Sequence, residues 1–177
     1  MRCRRAVHVL VLAVLAAGAA RADDAARGAA LLAPFKSQLQ QALQDGLRRG
    51  PAAAIGACRI EAPALAAALS RDGVRLGRTS HRLRNPANAG PAWASAVLDD
   101  YLDAPDARAG RVVAIAPGRL GWIEPIVTQP QCVACHGEAI APAVAAALVE
   151  LYPTDRAVGF KPGELRGVFW VEFPAAP

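Results

Sequence analysis

The order in which the hydrophobic period of the chain switches between helical and strand spacing decides its fold class. From Ala25 to Arg49, Leu31, Leu32, Phe35, Leu39, Leu43 and Leu47 recur at helical spacing, which predicts an amphipathic helix with one inward stripe. Pro34 lies inside it and predicts a kink or a later start. Gly50-Pro51 breaks the pattern, and Pro51 suits the first turn of a second helix to about Ser70, with a bend at Pro63. After the Asp72-Gly73 turn the period becomes two. Val74–Thr79, Arg111–Ala116 and Leu120–Thr128 read as strands, the last two joined through Pro117-Gly118 as an antiparallel hairpin. Ala92–Leu102, with Trp93, Val97 and Leu98 inward, and Ala141–Leu151 read as short helices; Gly167–Phe173 reads as a final strand. Ser80–Pro91, with Asn85-Pro86 and Gly90-Pro91, is expected to be irregular. Helices first, then strands mixed with short helices, predict an α+β fold: a small antiparallel sheet with helices packed around it.

Residues 1–22 read differently. Arg2, Arg4 and Arg5 precede a nearly unbroken apolar run, Ala6–Ala20, and Ala20-Arg21-Ala22 matches a small-x-small cleavage site. This predicts a secretory signal peptide cut after Ala22, leaving residues 23–177 as a single exported domain, in the periplasm. The run is too short to span a bilayer, and the Ala141–Val149 run ends at Glu150, so no stable membrane insertion is expected after cleavage. Cys3 precedes the apolar run and is therefore no lipoprotein acceptor. The formal net charge is +5, but Arg2, Arg4, Arg5 and Arg21 belong to the signal, and the remainder is close to neutral. No nucleic-acid partner is expected.

Residues 131–137 read Gln-Cys-Val-Ala-Cys-His-Gly. C-x-x-C-H is the attachment signature of covalent c-type haem. One helical turn places Cys132 and Cys135 where their sulfurs can add to two haem vinyl groups, and His136 then lies beneath the ring as proximal iron ligand. One covalent haem c is the expected cofactor. Two rivals fit less well. A thioredoxin-like dithiol follows a strand and opens a long helix in a parallel unit, whereas Gly137 follows here at once. A structural zinc needs four ligands, and only Cys58 and His81 remain to complete a set. The chain is alanine-rich and only 5% aromatic, so a bulky apolar cofactor would help fill its core.

The second iron ligand is a separate question. The sole methionine is Met1, which leaves with the signal together with His8. Cys58, His81, Lys36, Lys161, water or an open position remain. Cys58 lies among Ala54, Ile55, Gly56, Ala57 and Ala62, small neighbours that let a flat macrocycle approach. A small buried hydrophobe is the competing role for such a cysteine. With Cys132 and Cys135 consumed together, Cys58 is left unpaired in an oxidising compartment. His81 reads either as a ligand or as an exposed residue on a basic loop. Arg78, Arg82 and Arg84 around it carry guanidinium forks that suit haem propionates, or form a solvated surface. Tyr101, Trp93, Trp122, Tyr152, Phe160 and Trp170 read mostly as core, and Asp99, Asp100 and Asp103 as a solvated helix end.

Three segments in order, GRTSHRLRNPANAGPAW, WIEPIVTQPQCVACHG and LYPTDRAVGFKPGELRGVFWVEF, resemble a family of exported c-type haem proteins with a PAS-like fold. The resemblance runs from about Ala52 to Phe173. It implies an antiparallel sheet flanked by helices with haem held against it. It implies iron held by the motif histidine, His136, and by a cysteine on the helix before the first strand, which matches Cys58. His81 falls where the family does not require histidine. Relatives of this kind are standalone periplasmic proteins or sensory parts of membrane signalling proteins. Iron held between His136 and Cys58 would form a two-state element, so the expected role is a haem-based redox or gas sensor with a periplasmic redox or signalling partner and a small gas as ligand; the alternative is a low-potential electron-transfer cytochrome. An enzyme would need acid–base groups beside open iron, and only Glu61 lies near Cys58 in sequence.

Overall fold

The computed structural model describes residues 3–106 and 108–176; Met1 and Arg2 of the expected signal lie outside that set. Helix α1 spans Cys3–Arg48 and runs through Pro34. A proline inside a helix removes one backbone bond and costs about 3 kcal/mol. Burial of Leu32, Phe35 and Leu39 on either side of it offsets that cost. The helix also extends back to Cys3, through the segment expected to be removed. Runs of alanine and leucine favour helix in any context, so this extension reports local propensity and not processing.

Gly50, at φ 109°, turns the chain into α2, Pro51–Leu69, which keeps Pro63 inside it. The two helices approach closely: a Cβ on Gly46 would lie 2.6 Å from the Ala54 Cα. Only glycine allows that crossing, and it fixes the depth at which α2, and hence Cys58 one turn beyond Ala54, is held.

Four strands follow: β1 Arg75–Thr79, β2 Arg111–Ala116, β3 Arg119–Val127 and β4 Leu165–Pro174. All neighbours are antiparallel and the order is β1-β4-β3-β2. The β2–β3 turn uses Gly118 at φ 68°. Trp170 of the central strand faces Gly77 on one side and Ile123 on the other. Side chains alternate along β4, as the strand period demands. Val168 and Trp170 join Ile123 and the α3 residues Ala94, Val97, Leu98 and Tyr101; α3 spans Ala92–Asp103. Val171 and Phe173 join Leu76 and the inward stripe of α1 and α2 on the opposite face. The result is the expected α+β arrangement with a long N-terminal helix.

The motif forms a single turn, α4, Val133–His136, and α5 follows at Pro142–Leu151. Val144, Leu148 and Tyr152 pack α5 against Ile55 of α2. Apart from the start of α1, element ends differ from the sequence expectation by a residue or two. Among the described residues, no helix is long and apolar enough to cross a membrane.

Candidate haem site

Leu39, Leu43 and Leu47 of the α1 stripe line a cavity of about 370 Å³, bounded by α1, α2, the ends of β1, β3 and β4, and the motif turn. Ile55 and Cys58 of α2, Phe169 of β4, and Cys132, Cys135, His136 and Tyr152 complete much of its wall. The structure thus brings all three expected haem anchors and Cys58 into one chamber. The lower half of a stripe that reads as core in the sequence is the wall of this chamber.

The geometry of His136 is set from behind. Its Nδ1 lies 2.7 Å from the Ala157 carbonyl. A carbonyl only accepts, so Nδ1 carries the proton and Nε2 keeps its lone pair, the tautomer a metal-binding imidazole needs. Burial, followed by the charges of Arg166 and Arg84, pushes its pKa down to about 3 against the opposing Ala157 hydrogen bond. The ring is therefore neutral and ready to donate. The segment 157–160 also grips the motif backbone: Gly159 N donates to Gly137 O and Phe160 N to His136 O, both at 2.9 Å. Gly137 closes the turn, where a Cβ would sit 2.6 Å from the Val133 carbonyl oxygen.

The arginines divide by role. Arg84 is spent on the scaffold: Nε donates to Asp155 Oδ2 at 2.9 Å, and its other nitrogen donates to the Cys135 and Ala157 carbonyls. Asp155 Oδ1 accepts from Ala157 N at 2.7 Å, which closes the clamp around the motif. Arg82 does not line the cavity. It lies over the Phe160 ring at 3.6 Å, donates to Val158 O and faces Glu164. Arg78 lines the cavity and, among the described residues, has no carboxylate partner. Arg166 also lines it, and sequence reasoning missed it. Its guanidinium donates to Ser80 Oγ at 2.8 Å and, among the described residues, has no carboxylate within salt-bridge reach. Burial, then Arg78 and Arg84, lowers its pKa to about 10. Arg166 stands in β4 just before the apolar run Val168–Val171, where a buried charge is costly without a partner.

Of the remaining second-ligand candidates, His81 lies outside the cavity wall. It sits edge-on to Phe160 at 5.7 Å, with its Nδ1 buried and unbonded, and its pKa is lowered by burial and then by Arg82. Lys36 borders the cavity but pairs with Glu124. Lys161 pairs with Glu138 at 3.6 Å. Burial pushes the Cys135 thiol up, Arg84 opposes it, and Cys58 and Cys132 are near enough to act on it. Yet among the described residues no three His, Cys, Asp or Glu converge on one ion position. The donors stand around a wide chamber, not around a zinc-sized point.

A model of the Tll0287-like family matches residues 20–174. The chain belongs to the Tll0287-like family. Every cavity residue lies inside the matched span. The crystal structure of the cyanobacterial haem protein Tll0287 is similar to this chain, with 28% identity and a TM-score of 0.52, over 67% of this chain and 70% of that one. No curated protein matches.

Proposed function

We propose that this family member is an exported haem protein that works as a redox or gas sensor. In this reading Cys132 and Cys135 anchor one haem c, His136 is the proximal iron ligand and Cys58 the distal one. The observation that carries it is His136, tied through Nδ1 to Ala157, in a cavity that it shares with Cys58, Cys132 and Cys135. The haem, when bound, supplies an iron that can change oxidation state and take a small ligand.

The chain's own groups fit such an occupant. Leu39, Leu43, Leu47, Ile55 and Phe169 give an apolar wall. Arg84 is balanced by Asp155 and Lys36 by Glu124, which leaves Arg78 and Arg166 without an ion-pair partner among the described residues. Two unpaired cations match two propionates. Cys58, as a thiolate, is an anionic donor that favours ferric iron and lowers the reduction potential. Its helix packs through Ile55 on Val144, Leu148 and Tyr152, so movement of Cys58 would be felt in α5. That is a route by which a partner protein could read the state of the site. Antiparallel strands with helices on both faces, and the cavity against one of them, support the PAS-like reading. The basic and apolar start followed by Ala20-Arg21-Ala22 supports export, since covalent haem attachment in bacteria takes place outside the cytoplasm.

Absorption and EPR spectra of the holoprotein, oxidised and reduced, test the ligation directly. Cys58→Ser is expected to lose the low-spin thiolate signature, and His81→Ala to keep it. An unchanged Cys58→Ser spectrum removes Cys58 from the iron. Ligand exchange on reduction favours the sensor; the same six-coordinate iron in both states favours an electron carrier.

A further inference from the structure

A second cavity, of about 220 Å³, lies beside the chamber, between α2, β1 and the turn at residues 86–89. It exists because small side chains meet there. Ala62 and Ala66 face it from α2, Gly77 from β1, and Ala87 and Ala89 from the turn. Gly77 cannot be enlarged to fill it, since a Cβ there would lie 2.8 Å from the Trp170 ring. Phe35, Leu76 and Trp170, all buried, form its floor. Pro63, Ala87 and Ala89, all exposed, form its mouth.

The elements that wall this cavity run on into the wall of the chamber. On α2, Ala62 lies one turn beyond Cys58, so the two residues share a face of the helix. On β1, Leu76 and Gly77 wall the cavity, and Thr79 and Ser80 wall the chamber. Arg78 and Asn88 wall both and mark the junction. The two spaces are therefore adjacent, and α2 carries the second one up to the Cys58 side of the first.

We propose that this second cavity holds a small apolar gas and is the route by which it reaches the chamber from solvent. This rests on the sensing reading above and gives it a path. Apart from Arg78 and Asn88 at the junction, the wall is apolar, so the cavity takes up an uncharged solute and rejects ions. An apolar cavity of about 150 Å³ already holds xenon or benzene, so a diatomic molecule has room here.

Two variants obstruct the cavity independently. Ala66→Leu narrows it from α2, and Ala87→Trp covers its mouth from an exposed turn. Ala68→Trp, exposed on α2 and lining neither space, is the control. Crystals of the holoprotein are pressurised with xenon, and carbon monoxide association and dissociation rates are measured on the reduced holoprotein. The first expected result is xenon between Ala62, Leu76 and Trp170 in the wild type, displaced by Ala66→Leu. The second is that both carbon monoxide rates fall several-fold in Ala66→Leu and Ala87→Trp, with the affinity unchanged and Ala68→Trp like the wild type. A blocked path slows entry and exit alike, whereas damage at the iron moves the affinity. No xenon in the cavity, or unchanged rates in both obstructed variants, would overturn the proposal. Rates that change only together with the affinity would place the effect at the iron and also overturn it. If xenon binds but the reduced wild-type holoprotein takes up no carbon monoxide, the sensing reading is what has failed, and the route falls with it.

Discussion

Arg84→Met should cost on the order of 3–5 kcal/mol of unfolding free energy, read from denaturant titration of the holoprotein. The substitution leaves Asp155 buried without its cation; the two side chains are each 10% exposed. It also strips the donors from the Cys135 and Ala157 carbonyls. A surface pair would be worth at most about 1 kcal/mol, so a loss of that size would show that the clamp is not structural. Arg84→Met with Asp155→Asn should recover part of the loss, because the double variant no longer strands a charge. Ala157 also holds the His136 tautomer, so Arg84→Met should loosen the proximal site as well as the fold.

Phe160→Ala should cost a similar amount, about 3–5 kcal/mol, by opening a cavity at a side chain that is 1% exposed. The ring is a shared platform. Arg82 lies 3.6 Å above it and Arg166 4.9 Å, and His81 and His136 meet its edge. Each cation–π contact adds about 0.5–2 kcal/mol to what the volume contributes. Phe160→Leu, which keeps much of the volume, should therefore lose less stability than Phe160→Ala and still release both arginines. Thermal unfolding separates the two variants, and equal losses would mean that the volume contributes nothing and the ring's charge distribution carries the whole effect.

The backbone of this protein is legible because its signals are local. Gly50-Pro51 ends one helix and begins the next, Pro117-Gly118 closes the hairpin, and period-two apolar residues mark the strands. Pro34 does not mark the start of the helix, because its cost is small beside the burial of Leu32, Phe35 and Leu39 around it. The C-x-x-C-H motif is legible for the same local reason: one turn of backbone brings Cys132, Cys135 and His136, the three proposed anchors, together.

The rest of the site depends on where the sheet brings distant side chains. Arg78, Arg82 and Arg84 look alike in the sequence. In the fold, Arg82 turns to Phe160, while Arg78 and Arg84 both line the cavity, Arg84 with its guanidinium consumed by Asp155 and two carbonyls. Arg166 joins it from β4, whose Leu165 pairs with Val127 near the motif, and no local pattern places it there. Leu43 and Leu47 continue a perfect helical stripe, so no periodicity separates residues that face protein from those that face a cofactor. The resemblance singled out Cys58, and the structure adds that α2 carries it into the same chamber as His136.

The central claim is that QCVACHG binds haem covalently in the exported chain. Intact mass under denaturing conditions, on protein made in a host that matures c-type cytochromes, tests it most directly. The account predicts a polypeptide beginning at Asp23 that carries the added mass of one haem. Polypeptide mass alone, with haem that separates on denaturation, would contradict it.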